Sequence, residues 1–132
     1  MICRALNDIK LYFCHRITDV GISAIAHGCP LLCIIYFTLC EKITDVGISA
    51  LARGCPLLKN ISLIFCVEVT DVGISALAHG CPLLRSINLD CCDDITDIGL
   101  LALADSCPLF DNISDIFTTI EIDTPQERTA MC

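Results

Sequence analysis

The phrase ITDVGISALARGCPLL runs from Ile43 to Leu58 and occurs three more times in this chain. The other copies start at Ile17 (ITDVGISAIAHGCPLL), Val69 (VTDVGISALAHGCPLL) and Ile95 (ITDIGLLALADSCPLF), at a constant step of 26 residues. A chain with such a period folds as stacked units, because no single unit can bury its apolar face alone and each does so against its neighbours. The 132 residues therefore form one solenoid segment, not a domain wrapped around one core.

Between the copies lie LNDIKLYFC from Leu6, LCIIYFTLC from Leu32, LKNISLIFC from Leu58 and LRSINLDCC from Leu84. Each fits L-x-x-L-x-L-x-x-C. The apolar alternation of Ile9 with Leu11, Ile35 with Phe37, Ile61 with Leu63 and Ile87 with Leu89 is that of a short strand with one face inward. A fifth strand is predicted in FDNISDIFT, giving five stacked in parallel.

The repeated phrase itself reads as a short amphipathic helix. Thr18, Thr44, Thr70 and Thr96 suit the N-cap, and Asp19, Asp45, Asp71 and Asp97 fall in the first turn, where the helix dipole favours a carboxylate. In the second copy Ile48, Leu51 and Ala52 lie at helical spacing and form the buried stripe, while Ser49 and Arg53 face outward. Gly28, Gly54 and Gly80 are predicted to take a left-handed position after the last turn, and Pro30, Pro56, Pro82 and Pro108 to stop the helix. The fourth copy has Ser106 in place of that glycine, which predicts a weaker helix end.

The unit C-x-x-ITD-x-G-x-x-A-L-A-x-G-C-P-x-L-x-x-I-x-L resembles the cysteine-containing leucine-rich repeat, typical of F-box/LRR substrate receptors of ubiquitin ligases and of antagonist-of-mitotic-exit-type proteins. The resemblance implies an α/β right-handed horseshoe with a parallel sheet on the concave face and short helices on the convex face. Spacing leads to the same curvature: helices stack at roughly 8–10 Å and strands at about 4.8 Å, so a stack of both must bend.

The pattern breaks at both ends. Cys3 and Leu6 align with Cys29 and Leu32, so the chain starts mid-repeat. Asp115 and Thr118 stand where an inward Leu and a Cys belong, and residues 119–132 lack ITD, the glycine and the Cys-Pro pair. The expected layout is a solenoid of four to five repeats over residues 1–118, followed by a degenerate last repeat or disordered tail over 119–132. Solenoids need polar terminal caps, so the chain reads as a fragment of a longer protein, or as one whose end another chain covers. An F-box or other domain would lie outside this chain.

Composition narrows the partners. A net charge of -8 and pI near 4.5 argue against nucleic acid and anionic membranes, which need clustered Lys and Arg. A mean hydropathy of +0.71 is high, yet the longest apolar run, Leu31 to Cys40, is far below the roughly 18 residues a spanning helix needs. The opening segment lacks the apolar region of a secretory signal. Twelve Cys would suit a disulfide scaffold, but Cys14, Cys40, Cys66 and Cys92 form one ladder and Cys3, Cys29, Cys55, Cys81 and Cys107 another, both in constant register. Equivalent side chains in a stack point in parallel, not at each other, which favours reduced thiols in a cytoplasmic or nuclear compartment.

The positions between the inward residues vary while the framework stays fixed. Lys10, Tyr12, Phe13, Ile34, Tyr36, Leu39, Ser62, Ile64, Phe65, Asn88 and Asp90 are thereby the candidate protein-binding residues of the concave face. Tyr12, Phe13, Tyr36, Leu39, Ile64 and Phe65 form an apolar patch near the strand exits. The column Phe13, Leu39, Phe65 reads equally as binding surface or as framework tucked against the next turn.

No catalytic, cofactor or metal site emerges. His27 and His79 share a slot with Arg53 and Asp105, a solvated helix position, and His15 has no partner set. No C-x-x-C pair exists. Asn60-Ile-Ser62 and Asn112-Ile-Ser114 match glycosylation sequons but fall on strands. The sequence thus predicts a non-enzymatic protein-interaction module without cofactors, whose partner is a protein of unknown identity. The other reading is a structural piece of a longer repeat protein.

Overall fold

Each repeat folds into one strand and one helix, and the computed structural model describes residues 6–110. The strands are β1 (Asp8–Tyr12), β2 (Ile34–Thr38), β3 (Asn60–Ile64) and β4 (Ser86–Asn88), and the helices α1 (Asp19–Gly28), α2 (Asp45–Gly54), α3 (Asp71–Gly80) and α4 (Asp97–Ser106). The strands pair in parallel in the order β1-β2-β3-β4. Each helix packs against the next one in the chain. Cys3, the expected fifth strand with Asp115 and Thr118, and the segment 119–132 lie outside the described residues.

Register follows the period. Ile9 pairs with Ile35 and Ile35 with Ile61, so equivalent residues of successive repeats stand side by side. Ile35, Phe37, Ile61 and Leu63 are 0–2% exposed and meet Ile48, Leu51, Ile74 and Leu77 from the helices. Ile9, Leu11, Ile87 and Leu89 of the outer strands are only partly covered and pack at the margins of this core.

The helix starts contain a link that the dipole reading missed. The Asp45 carboxylate accepts the Thr70 N–H at 2.8 Å, the Thr70 hydroxyl at 2.5 Å and the Gly73 N–H at 3.1 Å. Asp71 does the same for Thr96 and Gly99, and Asp19 accepts from the Thr44 N–H and hydroxyl. Each aspartate therefore caps the helix of the following repeat. The threonine, with its hydroxyl hydrogen committed to that carboxylate, accepts the N–H of Val46, Val72 or Ile98 in its own helix. Thr18 makes no such side-chain cap bond. A Cβ built on Gly73 would stand 2.5 Å from Asp45 Oδ1, and one on Gly99 2.6 Å from Asp71 Oδ1, so the glycine leaves room for the carboxylate.

The helix ends correct the expectation for Gly28, Gly54 and Gly80. No described glycine has positive φ; these residues are the last of their helices, and the chain leaves through Cys29, Cys55 and Cys81 at φ near -125°. The reason for glycine is close approach: a Cβ on Gly80 would stand 2.5 Å from the Ala52 carbonyl, and one on Gly54 would collide with the Ala26 carbonyl. Ser106 fills the equivalent slot of the fourth repeat, so neither a left-handed φ nor the close approach excludes a Cβ there. Helix α4 has ten residues like the others, and the Cys107 N–H closes it on the Leu103 carbonyl at 3.0 Å.

Candidate functional site

Stacking in register turns the outward residues of the strands into columns across the sheet. Lys10, Tyr36, Ser62 and Asn88 form one; Asp8, Ile34, Asn60 and Ser86 another; Tyr12, Thr38 and Ile64 a third. Lys10 is exposed, 3.8 Å from Asp8 and with its ammonium 5.6 Å from the centre of the Tyr36 ring. Tyr36, Ile34 and Ile64 are half-buried and Asn88 and Asp90 exposed. Ser62 differs from expectation: it is only 7% exposed, a short side chain standing between Tyr36 and Asn88. The Ser86 hydroxyl donates to Asn60 Oδ1 at 2.7 Å, and the Asp90 N–H to Asn88 Oδ1 at 3.0 Å.

At the strand exits the backbone is unusual. Phe13, Leu39, Phe65 and Cys91 all have positive φ, between 56° and 61°. This left-handed bend drops the chain from the strand so that the following Cys14, Cys40, Cys66 or Cys92 turns inward. The Phe13, Leu39 and Phe65 N–H groups meanwhile donate to the carbonyls of Thr38, Ile64 and Asp90 in the next repeat. Left-handed geometry costs a residue with a Cβ about 1–2 kcal/mol, and glycine occupies it freely. Here bulky apolar side chains take it. Phe13 is 62% and Tyr12 52% exposed, while Leu39 and Phe65 are half-buried.

Two further surface features escaped the sequence reading. One is a row along the helices, Val20, Val46, Val72 and Ile98, 67–81% exposed. Its signal was present as an apolar residue after every helix-start aspartate, outside the buried stripe. The other is a charge trend in the loops after the strand exits: exposed Arg16 in the first repeat, Glu41 beside Lys42 in the second, Glu68 in the third, Asp93 and Asp94 in the fourth.

The cysteines divide by position. Cys55 donates its thiol to the Cys29 carbonyl at 3.3 Å and Cys81 to the Cys55 carbonyl at 3.5 Å, while Cys92 reaches the Leu63 carbonyl at 2.8 Å. Both ladders thus place a small apolar side chain with one weak donor against a carbonyl of the preceding repeat. Burial raises the thiols of Cys66 and Cys81 to about 12 and that of Cys55 to about 11, with the neighbouring ladder thiols adding to the effect. Cys14, Cys29, Cys40, Cys55, Cys66, Cys81 and Cys107 of the ladders form no disulfide, and neither does Cys33. Cys91 differs and is disulfide-bonded. Cys91 belongs to neither ladder of parallel side chains and stands at the left-handed bend.

Among the described residues, no group of His, Cys, Asp and Glu is placed to hold a metal ion, and no helix is long and apolar enough to cross a membrane. His15, His27 and His79 are exposed, and His79 Nδ1 lies 2.6 Å from the Ser75 carbonyl of its own helix.

The leucine-rich-repeat family model matches residues 4–26 and 80–104. A chain from the crystal structure of the Rad7 and Elc1 complex in yeast superimposes with a TM-score of 0.69 at 23% identity, covering 77% of this chain. The match spans 26% of that yeast chain, about a quarter of its length. No curated protein sequence matches. Alternating strands and helices, the matched repeats and the superposition show the α/β leucine-rich-repeat solenoid that the sequence predicts.

Proposed function

We propose that the chain binds a protein partner through the concave sheet face and the apolar rim at its strand exits, as the substrate-recognition part of an F-box/LRR receptor does. Leucine-rich repeats serve as interaction modules, and the coarser role, a protein-binding solenoid, rests on the repeats themselves. The observation that carries the finer reading is the strand-exit column. Framework alone is better served by glycine at a left-handed bend, yet Phe13, Leu39 and Phe65 hold apolar side chains there at a conformational cost. Tyr12 and Tyr36 extend the patch onto the sheet, and amphipathic aromatics are frequent anchors of protein interfaces.

The experiment compares affinity capture by the native chain and by a Tyr36→Ser/Phe65→Ser variant. Loss of specifically bound protein with an unchanged circular-dichroism spectrum and melt supports the reading. A Val46→Ser/Val72→Ser variant serves as the control on the helix side. Capture that survives the first variant and fails in the second moves the site to the helices, and collapse of the fold in the first makes Tyr36 and Phe65 framework.

The free ladder thiols support a cytoplasmic or nuclear setting, and the Cys91 disulfide is the feature on the other side. Thiol titration of the unfolded, unreduced protein decides between them: most of the twelve cysteines reacting fits a reducing compartment, and most being blocked overturns it.

A further inference from the structure

The loops that follow the strand exits stand in one row beside the apolar rim, and their formal charge falls steadily along the array. Arg16 gives the first loop a positive charge; Glu41 and Lys42 cancel in the second; Val67 and Glu68 leave one negative charge in the third; Asp93 and Asp94 leave two in the fourth. These loop residues are all exposed. On the strands, Lys10 is offset by Asp8 at 3.8 Å, and exposed Asp90 adds to the negative end. The half-buried side chains of Leu39, Ile64 and Phe65 lie between the two ends of this gradient.

Resting on the proposed binding surface, we infer that its partner is an extended peptide segment with apolar residues at its centre, acidic residues at one end and basic residues at the other. It lies across the strands along the rim. Four strands at about 4.8 Å put the first and fourth loops roughly 15 Å apart, a span that about five extended residues cover at about 3.3 Å each. The apolar centre seats on Leu39, Ile64 and Phe65. The basic end meets Asp90 and Asp94, and the acidic end meets Arg16. Charges of opposite sign at the two ends fix the register and direction of the segment, while the apolar contact holds it. A uniformly basic segment gains at the fourth repeat and loses at the first, so the gradient selects against it.

The test uses two fluorescently labelled synthetic peptides of identical composition, each with Phe-Leu-Phe at the centre. One has two Glu on one side and two Lys on the other; in its isomer each side carries one Glu and one Lys. Both are neutral, so the net charge of -8 on the protein favours neither. The segregated peptide is expected to bind about fivefold or more tighter by fluorescence anisotropy at low salt, and the difference to vanish in about 1 M NaCl, where screening acts within about 3 Å. An Asp90→Lys/Asp94→Lys variant that melts normally is expected to remove the preference. Equal binding of the two isomers overturns the charged track; if that binding is also lost in Tyr36→Ser/Phe65→Ser, the rim stands as a binding surface and only the track fails. A preference that survives the Asp90→Lys/Asp94→Lys change, or no binding of either peptide, likewise overturns the inference, and the capture experiment judges the surface separately.

Discussion

The Cys66 thiol has no exposure, points at the Phe37 carbonyl of the preceding repeat at 3.8 Å, and is pushed by burial to about 12. Since thiolate is the reactive form, the buried ladder is chemically inert while folded. At pH 8 a thiol reagent is expected to label half-buried Cys33 quickly and Cys55, Cys66 and Cys81 only as fast as the array opens, as mass spectrometry of timed samples will show. Alkali has the opposite consequence. A thiol ionising near 9.0 when unfolded and near 12 when folded makes the unfolded chain the weaker proton binder in that interval. The stability it contributes is intact below pH 9 and falls as pH rises from 9 towards 12, so denaturant midpoints should decline across that window. At the strand exit, Phe13→Gly should raise stability by roughly 0.5–1 kcal/mol, because it relieves a left-handed φ of 56° at a side chain that buries little. The same change should weaken partner binding; a destabilised Phe13→Gly protein would show that the ring packs as framework.

Between elements, the link that matters is the aspartate that caps the next helix. Asp45 holds three donors of the following repeat, and Asp45→Ala leaves the Thr70 and Gly73 N–H groups without their acceptor. The expected cost is about 1–3 kcal/mol by chemical denaturation. Gly73→Ala provides the sharper check on sign. An exposed helical glycine gains up to about 1 kcal/mol on becoming alanine, whereas here the new methyl would stand 2.5 Å from Asp45 Oδ1 and should lose about 1–3 kcal/mol through overpacking. A stabilised Gly73→Ala variant would mean that the carboxylate yields easily and the link is weak. Sequence reading recognised these threonines as caps, since capping is local, but assigned the aspartates to their own helices. The donors they serve are 25 and 28 residues away in the chain, and nothing in local pattern measures such a distance until the repeats are stacked.

At the scale of the molecule, the described strands and helices of each repeat pack against those of adjacent repeats, so stability is a sum of repeat and interface contributions, and central units gain from two sides. Native-state hydrogen exchange should therefore be slowest in β2 and β3, where Ile35, Phe37, Ile61 and Leu63 are 0–2% exposed, and fastest in β1, whose Ile9 and Leu11 are half-buried. Phe37→Ala should cost about 3–5 kcal/mol and Leu11→Ala markedly less. Uniform protection along the array would contradict the nearest-neighbour picture. The charge gradient of the loops belongs to this scale too, since only stacking brings Arg16, Glu68 and Asp94 into one row.

The period of 26 residues by itself determined the solenoid, the parallel strands, the inward Ile and Leu, the threonine caps and the two cysteine ladders, because these depend on short-range spacing repeated at a fixed step. Three things were decided only when the repeats met. The glycines at 54 and 80 serve a neighbouring carbonyl and not a left-handed turn. The left-handed residues are Phe13, Leu39, Phe65 and Cys91, none of which advertises that conformation by its side chain. Ser62 is covered although its place in the alternation points outward. The physical reason is shared: an approach of a few ångströms between residues about 26 positions apart sets which side chain fits, and such approaches exist only in the stack.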